Sequence, residues 1–538
     1  MQQPEGHNRL IAKNATMLYL RMFVTLSISF YTSRIVLKAL GVSDYGLYNV
    51  VGGVITFINV LTSSLGSATS RFLTYSLGKD DIEDLRKTFS TAFIIHLSLA
   101  AIFLILAETI GLWFINTQLV IPADRMVAAN WVYQSAILST ALAITQVPYD
   151  ASIQSHEKMA AFAYIAIINA ILKLLIAFVV LYAAVDHLIL YSVLYMVLSF
   201  GFVGYYRYYC IRNFEESKLK WIFEKKVFKE MLSFSAWNMY GSVSLTAMQQ
   251  GVNILINRFF GTILNAAVGV AGQVQAIIYS FIGNVTAAFR PQIIKEYASE
   301  NYSRVNYLIQ IGTKFTAVIG IITIVPVAFN LEFLMNLWLD TVPIGAIIIC
   351  QILLLENYLN SFHILVYFGI TATGHIKMMQ FILGTMYIGS LVLFYLALKI
   401  THSYVAVYTI GIFLCPLSTL TYCLVFKKNM PAFNLRAFIL KVYLPVTVIG
   451  LLSIGMALSG IFLFTSELFR FLYSLIACTA IVCTLSYYFL LDSYMRSVCK
   501  NFIKRDLCKT YHPLNSHPYT LRRINIFDQK IPLEVIFE

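Results

Sequence analysis

The sequence predicts an all-α integral membrane protein with about fourteen transmembrane helices. Of its 538 residues, 59% are hydrophobic and only 12% are charged, and the mean hydropathy is +0.74. A soluble domain carries about 25% charged residues, so this chain has too few charges to cover a surface in water. The apolar residues form long continuous runs, whereas the strands of a membrane barrel would alternate apolar and polar residues.

The apolar runs are long enough to cross a bilayer as helices, which takes about 20 mainly apolar residues. The run 160–184 contains one charged residue, Lys173, and the run 342–373 also contains one, Glu356. We predict spans near 14–38, 46–69, 88–115, 127–149, 160–184, 187–211, 233–258, 266–289, 306–329, 343–371, 378–399, 403–426, 440–464 and 468–492.

The chain resembles itself at a nearly constant offset of 219 to 220 residues. The matched pairs are 50–54 with 270–274, Gly41 with Gly261, and 156–159 with 375–378. Chance similarity between apolar helices is the alternative explanation. Because an even number of helices keeps both units in the same orientation, we predict two six-helix lobes in a parallel pseudo-twofold repeat around a cleft, a transporter architecture.

This repeat predicts how the chain is divided. The predicted parts are an N-terminal lobe at 1–211, a basic cytoplasmic linker at 212–232, a C-terminal lobe at 233–428, helices 13 and 14 at 429–492, and a basic cytoplasmic tail at 493–538.

The distribution of lysine and arginine predicts the orientation in the membrane. With the N-terminus in the cytoplasm, the cytoplasmic segments hold 30 of the 39 Lys and Arg residues, and the opposite segments hold 6. Because cytoplasmic loops are rich in these residues, we expect both termini in the cytoplasm. The net charge of +13 then faces anionic membrane lipids, so it requires no nucleic-acid partner.

Ionisable residues inside the spans are candidate functional residues, because each costs about 2.5–3.5 kcal/mol at the bilayer centre. The cations are Arg21, Lys173, Lys314 and Arg290. A cleft lined by them suits an anionic group such as a phosphate or pyrophosphate. Glu356 is a candidate for ion coupling, or for pairing with Lys173 or Lys314. The alternative for the cations is that their long side chains reach the headgroups.

Signatures of soluble enzymes and of metal sites are missing from the sequence. It contains no Walker A motif, no His-Glu-x-x-His and no Gly-x-Ser-x-Gly. Five of the eight cysteines lie in apolar runs, and none has metal-ligand spacing with histidine. We interpret the cysteines as small packing residues, and we expect a protein that is not an enzyme and has no cofactor or bound metal.

Two segments resemble a known family. The first contains Ser33-Arg34-Ile-Val-Leu-Lys38-Ala-Leu-Gly41-Val-Ser-Asp44-Tyr-Gly46-Leu-Tyr48, and the second is Ser155-His156-Glu157-Lys158-Met159. Both resemble Wzx-type polysaccharide flippases of the multidrug/oligosaccharidyl-lipid/polysaccharide (MOP) exporter superfamily. The resemblance covers the whole chain in helix count, lobes and topology, but its specific motifs lie mostly before the fifth predicted span.

The resemblance implies a flippase of the bacterial inner membrane. Such proteins move undecaprenyl-pyrophosphate-linked oligosaccharide from the cytoplasmic to the periplasmic leaflet by alternating access, for the biosynthesis of surface polysaccharide. The cation-lined cavity of the family falls here on Arg21 and the other intramembrane cations, by position and chemistry. A polysaccharide polymerase and a chain-length regulator are the protein partners that it implies.

Two other functions stay open. A drug/cation antiporter of the same superfamily would want acidic residues in the cleft of the first lobe, but the first two spans contain none. A membrane-embedded glycosyltransferase or polymerase would want a large periplasmic loop, whereas the outer loops have roughly ten residues each.

Overall fold

The structure, a computed structural model, describes residues 4–56, 58–117, 121–339, 342–491 and 495–496. Within these ranges the regular elements are helices and no strand occurs, which confirms the all-α prediction. Of the predicted C-terminal tail at 493–538, all but 495–496 lies outside the described residues.

The first half of the chain forms seven α-helices. They are α1 (Pro4–Thr56), α2 (Ile58–Gly78), α3 (Ile82–Leu106), α4 (Leu112–Thr117), α5 (Met126–Ser155), α6 (Met159–Leu181) and α7 (His187–Asn213). Aspartates begin two of these helices. Asp81 accepts hydrogen bonds from the first free amides of α3, and Asp186 does the same for α7, which satisfies donors that a helix start leaves unpaired.

The second half repeats this pattern and adds two helices at its end. The helices are α8 (Lys225–Ala298), α9 (Tyr302–Phe329), α10 (Leu331–Trp338), α11 (Ala346–Ser361), α12 (Ile364–Thr373), α13 (Lys377–Thr401), α14 (Tyr404–Asn429), α15 (Leu435–Phe438), α16 (Leu444–Leu463) and α17 (Glu467–Leu485). The helix α8 begins at Lys225, so the connection between the lobes is shorter than the predicted linker at 212–232.

Eleven helices among the described residues are long and apolar enough to cross a membrane, or twelve if α11 and α12, which bend by 43° between them, form one span. The chain is therefore a multi-pass membrane protein. The helical stretches 58–78 and 225–260 are long enough to span as well, but neither is among the eleven because of its more polar composition. The count of fourteen stays a prediction.

Two glycines break the longest helices at matched positions. Gly41 divides α1 with φ 74° and ψ 169°, and Gly261 divides α8 with φ 78° and ψ −170°. This region of backbone space is essentially open to glycine alone. The matched spacing continues on the other side of the membrane, where Asp80 (φ 58°) and Glu300 (φ 60°) turn the chain at the same offset.

Separate apolar cores hold the two lobes and join them. One core lies inside the N-terminal lobe and includes Ile115, Ile137 and Val180. Another spans both lobes and includes Phe72 of α2 and Ile293 of α8. The last helices, α16 and α17, pack against α9 through a third core, so they flank the C-terminal lobe.

The glycine breaks generate a test. We expect Gly41→Ala to lower the free energy of unfolding by about 1–3 kcal/mol, because alanine is strained at this φ and ψ, although the new Cβ has open space on the side away from its own helix backbone. Thermal unfolding in detergent measures the change. Gly201→Ala is the matched control, since Gly201 lies inside α7 with equally open surroundings, and an equal loss there would contradict the explanation.

Candidate functional site

The two lobes meet at the side of the membrane that carries the connection 214–224, which we call the linker side. There α2 ends against the end of α8. A Cβ added at Gly78 would lie 2.8 Å from the Cβ of Ala298 and 2.8 Å from the backbone of Lys295. Gly78 and Ala298 are themselves related by the offset of the repeat, so equivalent positions of the two lobes face each other. A larger residue at 78 would push the helices apart.

Polar contacts close the same side. Glu157, in the loop between α5 and α6, accepts hydrogen bonds from Lys295 Nζ at 2.7 Å and from Gln292 Nε2 at 2.6 Å. The Glu157 side chain is only 3% exposed, so this is a largely buried ion pair between the lobes. Across the interface Arg71 of α2 donates to the carbonyls of Thr371 and Ala372 at the end of α12.

A cavity of about 200 Å³ lies between the lobes, next to these contacts. It brings together Arg21 of α1 and Arg290 of α8, two of the predicted cations. The Arg21 guanidinium lies over the Phe162 ring, 4.9 Å from its centroid. The remaining polar lining consists of hydroxyl and amide side chains, from Ser70, Thr74, Gln154, Asn284 and Thr286.

Arg290 of α8 forms hydrogen bonds to α2 of the opposite lobe. Its Nη2 donates to the hydroxyl of Ser67 at 2.9 Å and to the Ser67 carbonyl at 3.3 Å. Its buried Nε has no hydrogen-bond partner among the described residues. Burial of a guanidinium costs free energy, and the unused donor leaves part of that cost uncompensated. An anionic ligand that accepts a hydrogen bond from Nε therefore gains binding free energy.

A second cavity, of about 440 Å³, adjoins the first and shares Arg290, Ser70 and Gln154 with it. Its acidic member is Asp150 of α5, which the sequence analysis missed. The fourth predicted span ends at residue 149, but α5, which contains Pro148, continues to Ser155. An acidic residue directly after an apolar run is the signal in the sequence that could have identified it.

Lys173 and Lys314 lie elsewhere. Lys173 Nζ sits over the ring of Tyr195, 4.8 Å from its centroid, and Lys314 Nζ donates to the Leu490 carbonyl at 2.9 Å. Neither residue lines the two cavities between the lobes. Lys314 therefore lies at the C-terminal end of the π-helical segment Ser486–Leu490 that follows α17, where unpaired carbonyls attract a cation. It does not join the arginines as expected.

Glu356 lines a separate cavity of about 540 Å³ inside the C-terminal lobe, together with Gln249, Asn253, Gln275 and Tyr408. It has no ion pair with Lys173 or Lys314 among the described residues. The carboxylate packs so closely on Gly411 that an added Cβ would collide with Oε1. The pairing interpretation therefore has no support, and ion coupling stays as the hypothesis for this residue.

The N-terminal lobe contains the matching cavity, which is smaller at about 150 Å³. Tyr48 and Tyr195 line it, and the offset of the repeat relates them to Val268 and Leu414 of the larger cavity. Ile137 takes the place of Glu356 at the same offset. Among the described residues no group of three His, Cys, Asp or Glu side chains is placed to hold a metal ion.

The fold is that of the transporters of the MOP superfamily. A structure of a multidrug resistance MATE family transporter of this superfamily, in an outward-facing conformation, has a TM-score of 0.67 and 13% identity, over 80% of this chain and 99% of that chain. A MATE protein in the straight conformation gives 0.66 and 12%, over 79% and 95%. A MOP superfamily transporter from Pyrococcus furiosus gives 0.57 and 13%, over 81% and 99%.

The sequence identifies the family more narrowly. The model of a family described as polysaccharide biosynthesis protein matches residues 35–342, more than half of the chain. The protein belongs to this family, and the Wzx-type resemblance fits it. No curated protein sequence matches the chain.

The buried ion pair on the linker side generates a test. We expect Lys295→Ala to destabilise the protein by about 3–5 kcal/mol, because it leaves the buried Glu157 carboxylate without its cation. Lys295→Ala combined with Glu157→Ala should be less damaging than the sum of the two single variants. Thermal unfolding of the four proteins forms a double-mutant cycle, and strictly additive effects would contradict a direct interaction.

Proposed function

We propose that the protein is a flippase that moves undecaprenyl-pyrophosphate-linked oligosaccharide from the cytoplasmic to the periplasmic leaflet of the bacterial inner membrane, for the biosynthesis of surface polysaccharide. The observation that carries the proposal is the pair Arg21 and Arg290 in the cavity between the lobes. Membership of the polysaccharide biosynthesis protein family supports the same function.

The pyrophosphate is the part of this substrate that the arginines fit. Each guanidinium presents a rigid fork of donors that binds phosphate oxygens in pairs, and it keeps its charge even when it is desolvated. Arg290 still has a donor to offer. Because Arg21 and Arg290 belong to different lobes, a pyrophosphate bound to both bridges the lobes. The bound ligand then favours a different arrangement of one lobe relative to the other.

Alternating access follows from the position of the interlobe contacts. The contacts of Glu157 and Arg71 close the linker side in this structure. In the proposed cycle the linker side is cytoplasmic, as the distribution of lysine and arginine predicts. These contacts break to admit the lipid-linked sugar and form again when the cavity opens to the periplasm. The same distribution of lysine and arginine places both termini in the cytoplasm.

Two kinds of partner accompany this function. Membrane lipids surround the bundle, and the basic segments of the linker side face the anionic inner leaflet. A polysaccharide polymerase and a chain-length regulator take over the delivered oligosaccharide in the periplasm. The transport itself forms and breaks no covalent bond, which fits a protein that is not an enzyme.

Glu356 supplies the coupling in this proposal. It lies inside the bundle, in the cavity of the C-terminal lobe, and an ionisable residue in this position marks a functional site. A carboxyl group in this position can take up a proton on one side of the membrane and release it on the other. Transport would then draw on a proton gradient.

A drug/cation antiporter remains the second candidate, and the same glutamate favours it. A cavity of about 540 Å³ with one carboxylate and mainly apolar lining has the size and character of a small-molecule site, and a cationic compound would pair with Glu356. The two candidates differ in which charged residue contacts the transported molecule.

The first test concerns the arginines. We expect Arg21→Ala and Arg290→Ala each to abolish surface polysaccharide and to cause accumulation of the lipid-linked oligosaccharide in a host that lacks the wild-type gene. Lys314→Ala is the matched control, because it removes an intramembrane cation outside the cavity, and Lys173→Ala is the second comparison. Mass spectrometry of lipid-linked intermediates, staining of the surface glycan and immunoblots of the membrane fraction provide the measurements.

Each result of this test has a clear reading. Normal surface glycan in both arginine variants at normal abundance would overturn the proposed site. Unchanged lipid intermediates after deletion of the gene, together with new sensitivity to cationic drugs, would overturn the flippase and favour the antiporter.

The second test concerns Glu356. We expect Glu356→Gln to remove the dependence of transport on an imposed pH gradient in proteoliposomes, because glutamine fills the same space and cannot exchange a proton. Glu108→Gln is the control, since Glu108 is an exposed carboxylate of the N-terminal lobe. An unchanged response to the gradient in Glu356→Gln would contradict its role in coupling.

A further inference from the structure

Most of the residues that line the cavity with Asp150 are polar, and Gly66, Val147 and Ala151 complete the lining. From α2 it takes Thr62, Ser63, Ser67 and Ser70, and from α5 it takes Asp150 and Gln154. Arg290 of the opposite lobe forms its boundary with the arginine cavity. The two cavities are therefore adjoining compartments of one cleft, and we call the one with Asp150 the hydroxyl compartment.

The two compartments differ in their chemistry. The arginine cavity presents donors with positive charge, whereas the hydroxyl compartment presents hydroxyl groups, an amide and one carboxylate. The Asp150 Oδ1 accepts a hydrogen bond from Gln146 Nε2 at 3.1 Å, and Oδ2 has no hydrogen bond among the described residues. An ionised carboxylate is an acceptor with several lone pairs, so Asp150 can accept bonds from more than one hydroxyl group.

Position along the helices places the compartments in sequence across the membrane. The arginine cavity uses α2 at Ser70 and Thr74, and the hydroxyl compartment uses the same helix from Thr62 to Ser70. This stretch of helix spans about 12 Å. A ligand with its phosphates at Arg21 and Arg290 thus extends its next group directly into the hydroxyl compartment, away from the linker side.

Packing between helices does not account for the carboxylate. Serine and threonine on α2 serve close helix contacts, but an aspartate inside the bundle costs free energy and marks a functional position. The compartment also has room for a ligand, because about 440 Å³ falls within the range of small-molecule sites.

We propose that the hydroxyl compartment recognises the sugar joined to the pyrophosphate, and that Asp150 selects a neutral, hydroxyl-bearing sugar over a uronic acid. This inference rests on the proposed function, since it needs a pyrophosphate at the arginines. Sugar hydroxyls donate to the Asp150 carboxylate and exchange hydrogen bonds with Gln154 and the α2 hydroxyls. A uronic acid would place a second carboxylate beside Asp150, and like charges at this distance repel.

The experiment measures binding of three lipids to the purified full-length protein in nanodiscs. The probes are undecaprenyl pyrophosphate alone, the same lipid carrying one neutral N-acetylhexosamine, and the same lipid carrying one hexuronic acid. For the wild type we expect the neutral sugar to tighten binding about 10- to 100-fold over the bare lipid, as hydrogen bonds to a charged group would provide. The uronic acid should give no gain.

Variants then assign the preference to Asp150. Asp150→Ala should bind the neutral glycolipid no better than it binds the bare lipid. Arg290→Ala should weaken binding of all three probes. Asp124→Ala is the matched control, because it removes an exposed carboxylate at the opposite side of the membrane from the linker, and it should bind like the wild type.

A conservative variant separates charge from shape. Asp150→Asn keeps an acceptor oxygen and the side-chain volume, so it should retain most of the preference for the neutral sugar and bind the uronic acid about as well. Continued rejection of the uronic acid by this variant would overturn selection by charge.

The remaining outcomes distinguish this inference from the proposed function. Equal binding of bare and glycosylated lipid by the wild type would overturn the hydroxyl compartment and leave the flippase standing. Failure of the wild type to bind any of the three lipids would overturn the flippase proposal itself. Loss of bare-lipid binding in Asp150→Ala would show that Asp150 maintains the cleft and would also overturn its role in recognition.

Discussion

The architecture depends on holding two guanidinium groups inside the membrane where the lobes meet. A charge inside a bilayer costs free energy, and the surrounding structure compensates only part of it. Phe162 covers Arg21, and Ser67 binds Arg290 from the opposite lobe. The serine-rich face of α2 is therefore turned toward α8, and the cleft between them retains an unsatisfied positive charge that an anion can neutralise.

The two lobes share a backbone but carry different chemistry. Gly41 and Gly261 break their helices in the same way because the conformation at each break excludes a side chain. The side chains have diverged, since Arg290 corresponds to Ser70, and Glu356 corresponds to Ile137. The repeat thus provides a symmetric frame in which a cationic cleft lies between the lobes and an acidic cavity lies inside one of them.

Closure of the linker side combines an apolar core that spans both lobes with a small set of polar contacts. Glu157 binds Lys295 and Gln292, Arg71 binds two backbone carbonyls, and Gly78 lets the helix ends touch. A buried ion pair gains little net free energy, because desolvation offsets most of the attraction. Such an ion pair can specify how the lobes meet without fixing them permanently, as the proposed transport cycle requires.

Hydropathy and charge in the sequence determined the membrane class, the helical elements and the candidate cations, because a bilayer constrains each span locally and independently of its neighbours. The repeat was also visible, since its glycines are required by local backbone geometry. Only the tertiary structure decided which charges share a cavity. It brought Arg21 and Arg290 to one cavity, placed Lys314 at the end of the segment Ser486–Leu490, and brought Asp150 into the cleft. The direction of a side chain around a helix has meaning only relative to the packed neighbours, and those come from distant parts of the chain.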